Sequence, residues 1–373
     1  MWNIKEINEK KKYCISKLNN KSLSNEEKEK LQFSLLAYLQ MLDSSGTVFH
    51  TVFPKVIDII SGGKYTLQRT KKYQKITRNL DTSGSISYYD QRFLVKLVMI
   101  IADEESSYKE FDFEKINIDD CQLISLAHDF YKRLGDKEIY DLALKTLSNE
   151  SCINFTEKLG YKKDYLGGNM YWDYIYNNPY LNIYRHNTIC DFNSLIHETM
   201  HTIDFGFMPK IKTKYNTGVI EIPTFTTDFL VIDYLESLEL KKEELEKYKK
   251  QKFLNIQVIA DKIFLLIKER YNEFNKNSNI DFIINILKPE INLLLIKLKA
   301  AIVSYGLYLQ IKKDKEKGLS NLKKYMKQGV LKHQGVDFSF IELSDQNLIE
   351  IAIEFKEQVN SLDNHFKKDT YSK

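Results

Sequence analysis

The chain is 373 residues long, with 43% hydrophobic and 28% charged residues and a formal net charge of +4. This is an ordinary composition for a folded protein with a large core, and its lysines alternate with glutamates, as over 241–252, so no nucleic-acid-binding stripe is indicated. Only 5 Pro and 14 Gly stand in the chain, which favours long helices over a turn-rich β fold.

The cysteines Cys14, Cys121, Cys152 and Cys190 are scattered and form no C-x-x-C pair, so they read as reduced thiols of a cytoplasmic protein. The N-terminus is charged from Lys5 onward and lacks the apolar run of a signal peptide. The apolar run from Ile291 to Ile311 is broken by Lys297 and Lys299, which predicts a buried helix and no membrane span.

In chain order, residues 3–18 and 24–43 read as a helical pair, and Ser24 with Glu27 has the spacing of a capping box. Residues 44–88 carry little regular signal, with turns expected at Gly62-Gly63 and over 81–85. Helix returns over 89–104, and a polar stretch over 103–107 suggests a division into an N-terminal helical lobe, 1–110, and a second region, 111–373. Residues 118–134 and 137–148 read as helices, followed by strands at Asn169–Tyr176 and Tyr180–Tyr184. Beyond Glu221 the chain is almost all helix, with interruptions expected near 273–279, at Pro289 and around 329–337.

Between those strands and the C-terminal helices lies His197-Glu198-Thr199-Met200-His201, an H-E-x-x-H pentapeptide. Histidines four residues apart on a helix project from one face, where both imidazoles can reach one zinc ion. The glutamate between them is then placed to take a proton from an attacking water. The segment predicts a helix capped by Asp191 or Asn193, with Gly206 and Pro209 as its stop. A zinc hydrolase needs a third protein ligand, and Glu221 follows His201 by twenty residues, enough for a turn and the start of a second helix. Pro223 fits the first turn of that helix. Taken alone, Glu221 reads better as a solvated helix-start carboxylate favoured by the helix dipole.

Together these segments resemble the M3 metallopeptidases of the oligoendopeptidase F type. Leu195 to His201 resembles the family's zinc helix, and Glu221-Ile222-Pro223-Thr224 with Asp228 and Leu230 to Leu235 resembles its third-ligand segment. Lys162, Lys163, Gly167 and Gly168 resemble an upstream loop, Pro179 to Tyr184 a strand ahead of the zinc helix, and Gly335-Val336-Asp337 a late motif. The resemblance implies a mainly α, gluzincin-like helical zinc-peptidase body with a small β-sheet next to the H-E-x-x-H helix. It implies one zinc ion held by His197, His201 and Glu221, with Glu198 as general base. Asp228 would orient a ligating histidine, or is an exposed helix carboxylate. Tyr180, Asn182 and Tyr184 would lie on an edge strand that binds extended peptide, with His186 approaching the site.

The chain departs from the family pattern at Met200, in place of a glycine, and at Asp204, in place of a histidine. The family's C-terminal histidine has no counterpart in 297–308, where Tyr305 or Tyr308 would have to supply the phenol that stabilises the oxyanion, unless both are core aromatics. The region before the zinc helix is also shorter than is usual in the family. The leading expectation is a metallopeptidase acting on oligopeptides. Two other readings stay open: a zinc-containing protein that binds peptides without cutting them, and a peptidase dedicated to one leader or signalling peptide.

Overall fold

The computed structural model describes residues 2–20, 22–43, 88–103, 111–157, 167–207, 219–238, 241–269, 289–328 and 338–371. The expected turns at Gly62-Gly63 and 81–85, most of the polar stretch 103–107, Lys162-Lys163, the Pro209 stop, Gly335-Val336-Asp337 and the interruptions at 273–279 and 329–337 lie outside the described residues.

The elements in chain order are α1 (Ile4–Leu18), α2 (Asn25–Asp43), α3 (Tyr88–Ile101), α4 (Asp120–Leu134) and α5 (Lys137–Leu147), then β1 (Ile153–Glu157), β2 (Gly168–Asp173) and β3 (Asn178–Arg185). There follow α6 (Ile189–Phe207), α7 (Ile222–Glu236), α8 (Lys242–Lys268), α9 (Pro289–Lys313), α10 (Lys315–Gln328) and α11 (Asp345–Tyr371). The fold is mainly α with one small sheet. Two compact units alternate along the sequence instead of meeting once near residue 110: Met1–Arg78 with Lys115–Ile211, and Asn79–Glu114 with Lys212–Lys373.

The helix starts of the first unit follow from local chemistry. Glu27 accepts from the backbone amide of Ser24, and the Ser24 hydroxyl accepts from the amide of Glu27, the capping box that the spacing predicts. Asp119 and Gln122 form a second such box on α4, which ends at Gly135 with φ 82°. That left-handed turn is open to glycine at little cost.

The sheet order is β1-β3-β2, with β1 parallel and β2 antiparallel to β3. This corrects two expectations. The segment Tyr180–Tyr184 is part of the middle strand, not an edge, and a third strand, β1, pairs with it. Side chains alternate between the two faces of a strand. Gly168, Met170, Trp172, Leu181 and Ile183 share the face against α6, where Trp172 meets Phe205 with ring centroids 5.5 Å apart. Tyr171, Asp173 and Tyr180 take the opposite face. There Tyr180 joins Trp2, Ile7, Cys14, Leu31, Leu35, Tyr38 and Met41 of the α1–α2 layer in one buried cluster. Asp173, itself fully buried, accepts from the hydroxyls of Ser34 and Tyr38 and from the backbone amides of Ile175 and Tyr176. These bonds tie α2 to the turn between β2 and β3 and leave the buried carboxylate well satisfied.

In the second unit α9 is the central helix, packed against α3, α7, α8, α10 and α11. Among the described residues one helix, over Leu294–Lys313, is long and apolar enough to cross a membrane, and 72% of its apolar window is buried. A helix that is apolar on every side belongs in a core. Phe229, Phe253, Tyr305, Tyr308 and Phe355 of α7, α8, α9 and α11 form a cluster of touching rings there.

Candidate metal centre

Helix α6 carries the pentapeptide, and 15 of its 19 residues are buried. It is held on several sides within its unit. Phe192 packs edge-on against Phe130, the Tyr131 hydroxyl donates to the Ile196 carbonyl at 2.9 Å, and the Thr146 and Thr202 hydroxyls share a hydrogen bond of 3.0 Å. The residue directly before His197 is therefore clamped by a buried phenol.

The helix begins three residues earlier than a cap at Asp191 would place it. Asp191 is not the N-cap: it lies in the first turn, and the Thr188 hydroxyl accepts from the Cys190 amide. Fully buried, Asp191 instead pairs with Arg185 Nε at 3.0 Å and accepts from the backbone amides of His186 and Asn187. Arg185 also reaches Asp120 and the Ile118 carbonyl. This network welds the end of β3 to the starts of α4 and α6. Gly206 is likewise not a stop. It lies within α6, and a Cβ there would stand 2.9 Å from Leu142 of α5, so its role is close helix packing.

His197 and His201 stand one turn apart, their ring centroids 5.1 Å apart and their planes at 83°. Glu198, only 7% exposed, points toward the first residue of β2. A Cβ on Gly168 would lie 2.8 Å from Glu198 Cγ and 2.7 Å from the Asn182 carbonyl. Only a residue without a Cβ leaves the glutamate its place. The functional weight of Gly168 was not readable as such, although its loop was part of the family resemblance.

Glu221 closes a 3₁₀ turn, Val219–Glu221, and occupies the N-cap position of α7 with Pro223 in the first turn. Its side chain does not cap the helix. The Thr224 hydroxyl stands 3.1 Å from Glu221 Oε2. Asp228 lies two turns further along the same face of α7 and pairs with Lys252 of α8 at 3.2 Å.

His197 and His201 stand in the first unit, and Glu221 stands in the second. Two imidazoles and a carboxylate are a donor set that zinc accepts with a fourth position open.

The other expected residues fall elsewhere. Tyr180, Asn182 and Tyr184 lie on the sheet face turned away from α6, by the alternation of β3. Their polar groups are engaged inside the unit: the Tyr180 hydroxyl accepts from Lys10, Asn182 Oδ1 from Asn154, and the Tyr184 hydroxyl from Asn169. A substrate-binding role for these three side chains does not fit that placement. His186 follows β3, its amide bonded to Asp191 and its carbonyl to Lys115. Tyr305 is 3% exposed inside the aromatic cluster, where burial pushes its phenol pKa above the ordinary value. Tyr308 beside it donates to Asp233 at 3.0 Å, and burial and that carboxylate raise its pKa as well. Both have the surroundings of core aromatics.

No family model matches the sequence, and no curated protein matches it. Solved structures that resemble the chain include a candidate oligoendopeptidase F from Bacillus anthracis str. Ames, at 14% identity over 98% of this chain and 78% of that one, with a TM-score of 0.49. PZ peptidase A with inhibitor 2 matches at 13% identity over 90% of this chain and 66% of that one, with a TM-score of 0.47. A candidate peptidase from Chlamydophila abortus matches at 16% identity over 90% of this chain and 62% of that one, with a TM-score of 0.43. The chain is thus shorter than each of these proteins. The likenesses are too distant to carry ligands, substrates or activity to it.

Proposed function

We propose that the protein is a zinc-dependent metallopeptidase that hydrolyses peptide bonds of oligopeptides. The observation that carries this reading is the histidine pair of α6, one turn apart, with a buried glutamate between them. His197, His201 and Glu221 would hold one zinc ion. When bound there, zinc would polarise a scissile carbonyl and make a water molecule acidic enough to attack at neutral pH.

The remaining work falls to this chain's own groups. Glu198 follows His197 directly and is buried, so its carboxylate is shielded from bulk solvent. It accepts a proton from the attacking water and returns it to the leaving amine. Gly168 keeps its side chain in place. Clamping by Tyr131, Thr146 and the Arg185–Asp191 pair fixes the helix that presents both histidines, which lowers the cost of organising the site at each turnover.

The test is the zinc content of the natively purified chain beside Glu221→Ala. Near-stoichiometric zinc in the wild type and its loss in the variant support the three-ligand site, and a peptide-library digest then reads hydrolysis. A wild-type chain that takes up no zinc even when the metal is supplied refutes the reading.

A further inference from the structure

We infer that Thr224 is a positioning residue for Glu221, and that its hydroxyl governs how tightly the chain holds zinc. The inference rests on the metal-site reading above and adds a residue to it.

Thr224 is fully buried in the first turn of α7. Its hydroxyl stands 2.9 Å from the Glu221 carbonyl and 3.1 Å from Glu221 Oε2. A hydroxyl has one proton to give, and of the two acceptors the ionised carboxylate forms the stronger bond. The bond is to one carboxylate oxygen, Oε2.

The backbone around Glu221 is fixed independently. The Ile222 carbonyl accepts from the Ser304 hydroxyl of α9 at 3.0 Å and from the Thr226 hydroxyl at 2.8 Å. Pro223 sets its own φ and offers no amide for the carboxylate to cap. With the Ile222 carbonyl engaged and the Glu221 side chain not used as a cap, the Thr224 hydroxyl is placed to bias the rotamer of Glu221. A group that orients a ligand in this way commonly changes metal affinity about 10- to 100-fold when removed.

The experiment is a zinc titration of the full-length chain in competition with a chromophoric chelator. It compares wild type, Glu221→Ala, Thr224→Val and Thr224→Ser, with the melting temperature of each metal-free protein recorded alongside. Valine keeps the branched shape and removes the hydroxyl, whereas serine keeps the hydroxyl. The expected result is a zinc dissociation constant raised about 10- to 100-fold in Thr224→Val and near wild type in Thr224→Ser, with similar metal-free melting. If Thr224→Val binds zinc as wild type does while Glu221→Ala does not, the inference fails and the metal site stands. Equal weakening in the valine and serine variants also overturns it, because the hydroxyl is then not the cause. If the wild type binds no zinc, or Glu221→Ala binds it unchanged, the metal-site reading itself fails. Should the valine variant not fold, Thr224→Ala against Thr224→Ser makes the same comparison.

Discussion

Gly168 and Glu198 stand so close that the hydrogen of the one occupies the space a methyl group would need beside the other, with a built Cβ 2.8 Å from Glu198 Cγ. The same Cβ would meet the Asn182 carbonyl at 2.7 Å, and backbone in the middle strand of a sheet has little room to withdraw. Gly168→Ala should therefore cost about 1–3 kcal/mol of stability through overpacking. It should also displace the Glu198 carboxylate, so that kcat falls further than the loss of folded protein explains. Denaturant unfolding and peptide turnover on the same preparation check this. An alanine variant with wild-type stability and turnover would show that the contact is not tight.

Glu198→Gln keeps the size of the side chain and removes its basicity. Turnover of a quenched fluorescent peptide should fall by about 10²–10⁴, the usual share of a general base. Zinc content should stay at the wild-type level, since neither histidine nor Glu221 is altered. Substantial residual cleavage would exclude Glu198 as the base.

Tyr131→Phe removes the phenol that donates to the Ile196 carbonyl at 2.9 Å. The carbonyl keeps its place in the helix ladder, so no buried acceptor is orphaned, and the loss should be about 0.5–1.5 kcal/mol. Urea midpoints measure it. A midpoint unchanged from wild type would mean that the clamp on α6 adds nothing.

His128 lies on α4, and burial lowers its pKa below the ordinary histidine value. The folded state therefore resists taking up the proton that the unfolded chain binds below about pH 6.5. The stability present above that pH should decline as the pH falls toward the depressed folded value. His128→Gln should flatten the decline between pH 7.5 and 5.5, seen in urea midpoints at the two ends. An equal decline in both proteins would assign the pH dependence to other groups.

The helix that carries both histidines was legible in the sequence because its signal is local: two histidines at helical spacing with apolar residues around them. The capping box of Ser24 and Glu27 was legible for the same reason. The sheet was not. Ile153–Glu157 is a five-residue strand whose partner, Leu181–Arg185, lies 28 residues on, and nothing local states that pairing. Without it β3 looked like an edge, and Tyr180, Asn182 and Tyr184 looked available to substrate. A two-residue period says that these three side chains share a face. It does not say which face α6 will cover. Asp191 was misread because an acidic residue near a helix start usually caps it, whereas here the buried Arg185 claims the carboxylate.

The burial of α6 on nearly every side sets a bound on how this protein can change. Most helices that present functional groups keep a solvent-facing stripe on which neutral variation accumulates. This one has 15 interior positions out of 19, so almost any exchange along it is at once an exchange at a buried position. Sequence change would find more freedom along β2, whose four middle residues are partly exposed, than on the helix that carries both histidines.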